Sequence, residues 1–406
     1  MILVHEPTWT GTLHAPGNSA TVQALARALP GVPIRILAEA SHLAELRADP
    51  ALAALPSIAT EAVALSPRFR FRPHIVSARR LWTEWRTLAR ALAGVPAPAP
   101  CLIFLISTTA TSLAAAAWLA RRRRAPTAVL VGWHGNLNEA MGWRPRNPLA
   151  RALDLRAGLE AATPRLCHLV LEEGIRDALI ARIPAAAART AVLELPINLA
   201  EAPPGDALPL APPIHVGLVG QATAAKGAEA FLAAARAAKA RFGEAVAFHL
   251  VGRLPPGEDP APWAAILAHA PESEHLPRAR FTARLAGLHY VFLPLDPAYY
   301  ALSASGALID AITFTKPVIA TRVPIVAGLF RAHGDIGFMA DEPARMTDVL
   351  LDVLAHPDPA RYAAQVTALK AARAAREPAA LAARFRAIVA GVLPELVNDS
   401  NPLEAP

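Results

Sequence analysis

The chain has 406 residues, of which 54% are hydrophobic and 18% are charged, and its formal net charge is +7 at pH 7. This composition excludes an intrinsically disordered protein, and the length exceeds the roughly 250–300 residues at which single domains stop growing, so two domains are expected. The charge is uneven: residues 1–205 carry 22 Arg and no Lys against 14 acidic residues, a net +8, whereas residues 206–406 carry 18 basic and 19 acidic residues, a net −1.

Short apolar runs alternate with helical patterns through the first half of the chain. Runs that do not alternate in polarity are typical of parallel strands that are buried on both faces. We predict six such strands: Ile2 to His5, Ile34 to Leu37, Ala62 to Leu65, Leu102 to Ile106, Ala128 to Val131 and His168 to Leu171. Residues 1–200 are therefore predicted to form an N-terminal Rossmann-like domain.

An uncharged stretch, residues 101–120, is followed by Arg121 to Arg124 and resembles a membrane span with a positive flank. Its centre is only mildly apolar, so we favour a buried strand followed by an Ala-rich helix. No charged leader or cleavage site is apparent at Met1, and Cys101 and Cys167 form no C-x-x-C pattern. These features predict a protein of the reducing cytoplasm without a disulfide framework or a zinc site.

Arginine clusters lie near tryptophans in the first half. The arginines are Arg68, Arg70, Arg72, Arg79, Arg80, Arg86, Arg90, Arg121 to Arg124, Arg144 and Arg146, and the tryptophans are Trp82, Trp85, Trp118 and Trp143. Basic surface with tryptophan suits anionic lipid headgroups or a lipid-phosphate acceptor, which predicts a possible peripheral contact with the inner face of the cell membrane. The alternative is a merely solvated basic face. Nucleic acid is not expected, because no binding-module signature accompanies the charge.

A proline-rich segment, residues 201–213, is predicted to be a linker, since proline ends helices and central strands. A C-terminal domain then covers residues 214–378, with strands Ile214 to Val219, Val246 to Val251, Tyr290 to Leu293, Val318 to Ala320 and Gly337 to Met339. A last helix within residues 379–397 is expected to pack back on the N-terminal domain, and residues 398–406 form a tail. The predicted fold class is α/β, with two doubly wound Rossmann-like domains facing across a cleft.

Two runs in the second half have the features of a phosphate site. In residues 219–227, Gly220 allows a tight turn after a strand, and Lys226 places a cation near the start of the next helix, where a diphosphate can bind. The alternative for Lys226 is an exposed first-turn residue. In residues 299–320, Ser303, Ser305 and Gly306 open a helix whose N–H groups can bind phosphate, and Asp310 lies one turn further on, placed to bind ribose hydroxyls.

Together these runs resemble the GT-B glycosyltransferases, in particular the large retaining family four. That family has a strand–Gly–Arg–x4–Lys–Gly turn, a strand ending in Val-Gly, and a Glu-x7-Glu helix running into Gly-Lys-Pro-Val-Ile-Ala; the matching stretches here are residues 219–227, 248–253 and 303–320. The resemblance implies that Lys226 holds the donor diphosphate and that Asp310 binds ribose. It further places Gly252 and Arg253 near the nucleobase and Ser305 and Gly306 at the phosphate or sugar. We add Gly220, Gln221 and Tyr300 as candidate contacts of the nucleotide-sugar site.

Two positions depart from the family pattern. Gln221 replaces the family arginine, which removes one cationic phosphate contact, and Leu302 replaces the first glutamate of the pair. Tyr299, Tyr300 or Asp296 could compensate for the lost carboxylate. The departures leave room for an altered donor or a weakened enzyme.

The N-terminal half contributes further candidates. Residues 10–19 look like the flexible, glycine-bearing loop that faces the donor phosphates in such enzymes, which makes Gly17 and Asn18 candidate donor contacts; an ordinary βα loop is the alternative. His134 follows the fifth strand and is placed to orient an acceptor hydroxyl or a sugar oxygen as a catalytic residue, unless it is purely structural. Glu139 and Asp154 are second-choice bases for an inverting enzyme.

The resemblance implies a hexosyltransferase-type, retaining glycosyltransferase that moves a sugar from a UDP- or GDP-sugar to a saccharide or lipid-linked acceptor in bacterial polysaccharide or glycoconjugate synthesis. It also implies that residues 1–200 form the acceptor-binding domain and residues 214–378 the nucleotide-sugar-binding domain. No H-E-x-x-H, G-x-S-x-G or Asp-x-Asp pattern occurs, so no metal is implied and no cofactor is required beyond the donor. The alternatives are a sugar-nucleotide epimerase of the same build, which needs no acceptor, and a degenerate, non-catalytic binding protein.

Overall fold

The computed structural model of the chain describes residues 1–70, 72, 74–142, 147–201 and 208–398, and it divides into two compact units. The first unit comprises residues 1–198 and 376–406, and the second comprises residues 199–375. Residues 202–207 of the predicted linker and residues 399–406 of the predicted tail lie outside the described residues, as do Trp143, Arg144 and Arg146 of the predicted basic clusters.

Each unit is built on one parallel sheet. The seven strands described in the first unit are β1 (Ile2–His5), β2 (Ile34–Ala38), β3 (Ile58–Ala62), β4 (Cys101–Leu105), β5 (Thr127–Gly132), β6 (Leu166–Val170) and β7 (Thr190–Val192). The five described in the second are β8 (Ile214–Gln221), β9 (Val246–Arg253), β10 (Tyr290–Leu293), β11 (Val318–Thr321) and β12 (Gly337–Ala340). The predicted α/β class with two doubly wound domains is confirmed.

Helices connect the strands and cover the sheets. In chain order they are α1 (Ala15–Ala28), α2 (Ala40–Ala48), α3 (Pro50–Ala53), α4 (Ala78–Ala93), α5 (Ala110–Arg122), α6 (Leu137–Gly142), α7 (Pro148–Ala152), α8 (Leu155–Glu160), α9 (Glu173–Arg182), α10 (Ala228–Phe242), α11 (Ala261–Ala264), α12 (Arg278–Ala286), α13 (Pro297–Tyr300), α14 (Gly306–Thr313), α15 (Pro324–His333), α16 (Met346–Ala355), α17 (Pro359–Ala374), α18 (Pro378–Val392) and α19 (Pro394–Asn398).

The core of the first unit includes helices from both ends of the chain. Side chains of α1 and α18 pack in the same buried cluster, and the Phe385 ring of α18 meets the Phe104 ring of β4 edge to face at 5.9 Å. A buried ion pair joins Arg376 to Glu172, with NH1 to Oε1 at 2.7 Å. The chain segment after residue 375 therefore belongs to the first unit.

Two elements of the first unit differ from the sequence prediction. The third strand covers Ile58–Ala62 rather than Ala62 to Leu65, and the edge strand β7 was not predicted. A strand at a sheet edge has one neighbour and an open flank, so it need not be continuously apolar. In β3, Glu61 lies 3.7 Å from Arg35 of β2, a polar cross-strand pair that the search for apolar runs passes over.

The segment weighed as a membrane span divides into β4 and α5, as predicted, and within the described residues no helix combines the length and apolarity that crossing a membrane requires. The N-terminus of α5 explains the division. Thr109 and Ser112 form a reciprocal capping box, in which the Thr109 hydroxyl accepts the Ser112 N–H at 3.0 Å and the Ser112 hydroxyl accepts the Thr109 N–H at 2.9 Å. Both cysteines are buried free thiols.

The core of the second unit is built around aromatic rings between the sheet and α10. Phe231 of α10 meets Phe248 of β9 edge to face at 5.9 Å and stacks on Trp263 at the same distance. The predicted helix start at Lys226 is two residues early. Residues 224–226 form a 3-10 turn, and Gly227 adopts a left-handed conformation with φ 70° before α10 begins.

A histidine cluster lies near the amino-terminal edge of the second sheet. His215 Nδ1 lies 2.8 Å from His249 Nε2, and the His289 ring stacks on His215 at 5.5 Å. Burial lowers the pKa of all three imidazoles, that of His249 to about 4, with the neighbouring His215 the next largest cause. Within the described residues, no three His, Cys, Asp or Glu side chains are arranged to hold a metal.

This cluster should make the second unit less stable in mild acid. Because the folded pKa values lie below the ordinary 6.5, the contribution is fully present above about pH 6.5 and is lost as the pH falls toward about 4. We expect the free energy of unfolding, from urea titrations, to fall by about 1–2 kcal/mol between pH 7 and pH 5 through His249 alone. His249→Gln should flatten this slope, and the exposed His356→Gln should not; equal slopes in all three proteins would contradict the prediction.

Candidate functional site

The strand order reverses once in each sheet. The first sheet has the order β3-β2-β1-β4-β5-β6-β7, and the second has the order β12-β11-β10-β8-β9. The reversals lie between β1 and β4 and between β8 and β10, and open α/β sheets bind ligands outside the carboxyl ends of the strands at such points. The loops at these two reversals are therefore where a ligand is expected in each unit.

A buried carboxylate lies at the reversal in the first unit. Glu6 follows β1, and its Oε2 accepts hydrogen bonds from Ser107 Oγ, after β4, at 2.6 Å and from Asn18 Nδ2 at 3.1 Å. Its Oε1 accepts the N–H groups of Thr8 at 2.9 Å and Trp9 at 3.1 Å. Burial raises the pKa of Glu6 despite these hydrogen bonds. The carboxylate holds the loop after β1 against the end of β4.

Histidines line the same loop. His42 Nδ1 lies 3.0 Å from the Gly11 carbonyl oxygen, and its Nε2 lies 3.1 Å from Asn18 Nδ2. A carbonyl can only accept, so Nδ1 carries the proton, and Nε2 then accepts from the Asn18 amide. The His14 ring lies 5.7 Å from the His134 ring, which brings the loop after β1 beside the loop after β5.

His134, the predicted acceptor-orienting residue, is half-buried at the carboxyl end of β5. Desolvation lowers its pKa to about 4, so the imidazole is neutral at pH 7 and can accept a hydrogen bond. Its loop is tied to the end of β4, because Thr108 Oγ1 donates to the Gly132 carbonyl at 2.9 Å and Asn136 Nδ2 donates to the Thr108 carbonyl at 2.6 Å. The ring is therefore held at the sheet edge beside the reversal.

The prediction of a flexible loop over residues 10–19 is wrong from residue 15 onward. Helix α1 begins at Ala15, with Pro16 in its first turn and His14 in a left-handed conformation at φ 61° before it, so Gly17 and Asn18 are helical. A proline fits the first turn of a helix, where its missing N–H leaves no bond unmade. Asn18 is buried and bonded to Glu6 and His42. Contact of Gly17 or Asn18 with a donor stays a prediction.

In the second unit, Lys226 lies over the glycine turn after β8. Its Nζ donates to the Val219 carbonyl at 3.1 Å, and a Cβ added to Gly220 would lie 2.2 Å from this nitrogen. Burial lowers the pKa of Lys226, and the nearby Asp310 carboxylate raises it. An ammonium group has three N–H donors, and Val219 engages one of them. Lys226 and Asp310 are thus brought together, although they are far apart in sequence.

Close backbone packing positions this turn against β10. A Cβ added to Gly227 would lie 2.1 Å from the Pro294 carbonyl oxygen, and the residue has a positive φ, so any other residue would be strained here. The Asp296 N–H donates to the Ala225 carbonyl at 3.0 Å. The Lys226 turn is therefore fixed at the reversal between β8 and β10.

Gln221 and Arg253 extend from neighbouring strands. Gly220 and Gly252 are partners in the sheet, and a Cβ on Gly252 would lie 1.9 Å from the Gly220 oxygen, so β8 and β9 approach closely at their ends. The Arg253 guanidinium NH2 lies 3.5 Å from Gln221 Oε1. Its Nε is buried and makes no hydrogen bond to the described residues. Arg253 therefore brings a cation next to the position where the family pattern has arginine.

Helix α14 begins one residue after Ser305, whose hydroxyl accepts the Leu308 N–H at 3.3 Å. Gly306 is thus its first residue and Asp310 lies one turn later, whereas Ser303 precedes the helix. Tyr300 is buried, and burial raises its pKa, although contact with Ser305 opposes this. Leu302 is also buried, so its side chain packs in the core where the family pattern has glutamate.

Glu6 and His42 were missed by the sequence analysis. The sequence signal for Glu6 is a glutamate that directly follows a buried strand, because a charge at the carboxyl end of a buried parallel strand points to a site. No local pattern indicates His42. Its role depends on Gly11 and Asn18, which only the fold brings near.

A cavity of about 600 Å³ in the first unit lies elsewhere, at the amino ends of β6 and β7. Arg165, on its wall, is occupied by an ion pair with Glu395, with guanidinium to carboxylate distances of 2.6 and 2.8 Å. Ligands of doubly wound sheets bind at the opposite, carboxyl ends of the strands. We therefore do not assign the cavity to the candidate site.

Comparison with solved structures gives many matches, and the three described here are distant in sequence. WaaG, a glycosyltransferase involved in lipopolysaccharide biosynthesis, superposes with a TM-score of 0.62 at 12% identity, covering 96% of this chain and 100% of that one. A glycosyltransferase from Rickettsia africae gives 0.61 at 12%, covering 96% and 98%. A trehalose-6-phosphate protein from E. coli, bound with UDP-2-fluoro glucose, gives 0.58 at 11%, covering 95% and 98%.

No protein-family profile and no curated protein matches the sequence. At this level of identity the structural likeness concerns the fold. The likeness covers nearly the whole chain and includes both doubly wound units. The chain has the fold of the GT-B glycosyltransferases.

Proposed function

We propose that this protein is a glycosyltransferase that takes a nucleotide-diphosphate sugar, a UDP- or GDP-sugar, as donor and a saccharide or lipid-linked molecule as acceptor, in bacterial polysaccharide or glycoconjugate synthesis. The observation that carries the proposal is the position of the Lys226 ammonium over the glycine turn at the sheet reversal of the second unit, within electrostatic range of the Asp310 carboxylate. A cation for a diphosphate and a carboxylate for ribose hydroxyls are what such a donor requires. A structural neighbour bound to UDP-2-fluoro glucose adds support.

In the proposed reaction, the acceptor hydroxyl oxygen forms a bond to the anomeric carbon, and the bond from this carbon to the diphosphate oxygen breaks. The diphosphate leaves with the bonding electrons, and the hydroxyl proton passes to a base, a role open to a diphosphate oxygen. Lys226 and the N–H groups at the start of α14 would stabilise the charge that develops on the leaving group. Arg253 would supply the second cation that Gln221 cannot provide.

The neutral His134 would orient the acceptor hydroxyl by accepting its hydrogen bond. Glu6 does not contact the reacting atoms in this proposal; it positions the loop that carries His14. Retention of anomeric configuration is proposed from the family resemblance. Leu302 removes the carboxylate expected beside the donor sugar, which favours a non-catalytic binding protein as the second candidate.

A ligand panel tests the proposal. We expect the diphosphate and the sugar conjugates of one base, among UDP, GDP and dTDP, to stabilise the protein by about 2.7 kcal/mol at a hundredfold excess over Kd, which raises Tm by about 5–10 °C. The nucleoside without phosphates should give no shift. A flat response to all the diphosphates would overturn the proposal.

Product analysis separates the enzymatic alternatives. With the stabilising donor and a mixed saccharide or lipid-phosphate acceptor set, a glycosyltransferase releases nucleoside diphosphate in proportion to the glycosylated product. An epimerase alters the donor when no acceptor is added. Donor binding with neither product would favour the non-catalytic candidate.

A further inference from the structure

The outer face of α4 combines arginine with exposed tryptophan. Residues spaced three and four apart share one face of a helix, and here these are Arg79, Trp82, Arg86 and Arg90, all exposed. The acidic residue of this helix, Glu84, is buried on the opposite face and paired with Arg80 at 2.8 Å. The exposed face is therefore both basic and aromatic.

Three tryptophans join this face to the neighbouring helix α5. Trp82 stacks on Trp85 with ring centroids 5.0 Å apart, and Trp85 meets the edge of Trp118, on α5, at 5.9 Å. The side chains of Trp82 and Trp118 are 57% and 39% exposed. Arg122 lies over the Trp118 ring at 4.7 Å. Such a cluster leaves costly apolar area in water unless something covers it.

The chain segment that carries most of this cluster has basic residues but no acidic ones. The sequence has no Asp or Glu from residue 85 to residue 138, whereas this stretch contains Arg86, Arg90 and Arg121 to Arg124. Among the described residues, no carboxylate pairs with the exposed arginines of α4 or with Arg121, Arg122 or Arg124. We call the surface formed by Trp82, Trp85, Trp118 and these exposed arginines the Trp-Arg surface.

We propose that the Trp-Arg surface binds the headgroup region of a lipid bilayer that contains anionic lipids. Tryptophan settles at membrane interfaces because its ring is apolar while its N–H stays hydrated, and arginines near the surface are attracted by anionic headgroups. Exposed tryptophan and arginine on neighbouring helices combine the apolar and the cationic contacts that an anionic headgroup layer offers. The chain would therefore lie on a membrane without crossing it.

This inference does not depend on the proposed transferase activity, because it concerns α4 and α5 of the first unit, whereas the Lys226 turn belongs to the second. The test is flotation of the full-length protein with phosphatidylcholine vesicles, with and without phosphatidylglycerol. We expect binding to the anionic vesicles, weakened by salt, and little binding to the neutral ones. Nucleotide binding, measured in parallel, should be the same in every variant, so a failure here differs from a failure of the proposed function.

Matched variants locate the contact. Two variants remove parts of the surface: Trp82→Ser with Trp118→Ser, and Arg86→Gln with Arg90→Gln and Arg122→Gln. One control removes the same charge from exposed arginines elsewhere: Arg182→Gln with Arg236→Gln and Arg331→Gln. We expect each surface variant to bind anionic vesicles about tenfold or more weakly, and the control to bind like the unaltered protein.

Several outcomes would overturn the proposal. They are failure of the unaltered protein to float with anionic vesicles, equal binding to neutral vesicles, and equal weakening by the charge-matched control. Tighter binding of a single-stranded or double-stranded oligonucleotide than of vesicles at the same salt concentration would reassign the surface to nucleic acid. Circular dichroism spectra matching those of the unaltered protein would show that each variant is folded.

Discussion

Lys226→Met should weaken binding of the stabilising nucleoside diphosphate by about 10-fold to 100-fold. A hydrogen bond to a charged group contributes about 1.5–3 kcal/mol, and a tenfold change in Kd corresponds to about 1.4 kcal/mol. Methionine keeps an unbranched chain beside Gly220 but has no N–H to offer phosphate. Isothermal titration of the diphosphate into each protein gives the Kd values directly.

The matched control for this change is Lys239→Met. Lys239 lies on α10, close in sequence to Lys226, but its Nζ is 3.5 Å from Glu244 on the surface. A surface ion pair contributes about 0–1 kcal/mol to stability and nothing to a site elsewhere, so the Kd should not change. Equal Kd values for Lys226→Met and the unaltered protein would remove the basis of the proposed donor site.

Pyrophosphate as a second ligand distinguishes the proposed diphosphate contact of Lys226 from the proposed ribose contact of Asp310. Lys226→Met should weaken binding of both pyrophosphate and nucleoside diphosphate. Asp310→Asn should weaken binding of the nucleoside diphosphate more than binding of pyrophosphate. The ribose hydroxyls lose a charged hydrogen-bond acceptor, and pyrophosphate has no ribose. The reverse pattern would contradict the assignment of Asp310 to ribose.

Arg80→Met should lower the free energy of unfolding of the first unit by about 3–5 kcal/mol, since it leaves the carboxylate of Glu84 buried without its cation. Arg80 Nε donates to Glu84 Oε1 at 2.8 Å, NH1 donates to the Arg72 carbonyl at 2.6 Å, and NH2 donates to the Pro7 carbonyl at 3.3 Å. Burial of Glu84 raises its pKa while Arg80 lowers it. Urea unfolding followed by tryptophan fluorescence measures the loss.

Two further variants test the reason for this loss. The neighbouring Arg79→Met changes an exposed arginine of the same helix and should cost less than about 0.5 kcal/mol. Arg80→Met combined with Glu84→Leu should cost less than Arg80→Met alone, because the unpaired buried charge is gone. A double variant that loses as much as the sum of the two single changes would contradict an interaction between the pair.

Strand assignment succeeded for strands buried on both faces and for the edge strands β9 and β12 of the second sheet, but it failed at the two edges of the first sheet. The apolar runs of β1, β4 and β5 lie between helices on both sides, so burial selects hydrophobic residues at every position. The edge strands β3 and β7 each pair with one neighbouring strand only. Their residues are not continuously apolar, so an apolar run does not mark them in the sequence. The predicted loop over residues 10–19 misses the start of α1 for a different reason. His14 precedes this helix in a left-handed conformation and caps it with no side-chain hydrogen bond, and no sequence pattern indicates such a start.

The candidate site was partly foreseeable. Gly220, Lys226 and Asp310 stand in local patterns, a turn and a helix start, whose geometry follows from neighbouring residues. Arg253 near Gln221, and Glu6 bonded to both Ser107 and Asn18, come from segments separated in sequence. No local pattern relates such residues before the strands pair.

By itself, the amino-acid sequence determined the two parallel sheets, the glycine turns and the uneven charge, because hydrophobic burial, backbone freedom and charge are properties of short segments. Only the tertiary structure decided that Lys226 lies within electrostatic range of Asp310, that Glu6 spans the reversal between β1 and β4, and that three tryptophans of α4 and α5 meet on a basic face. The strand order sets these encounters, and it depends on the summed packing of the whole chain rather than on any one segment.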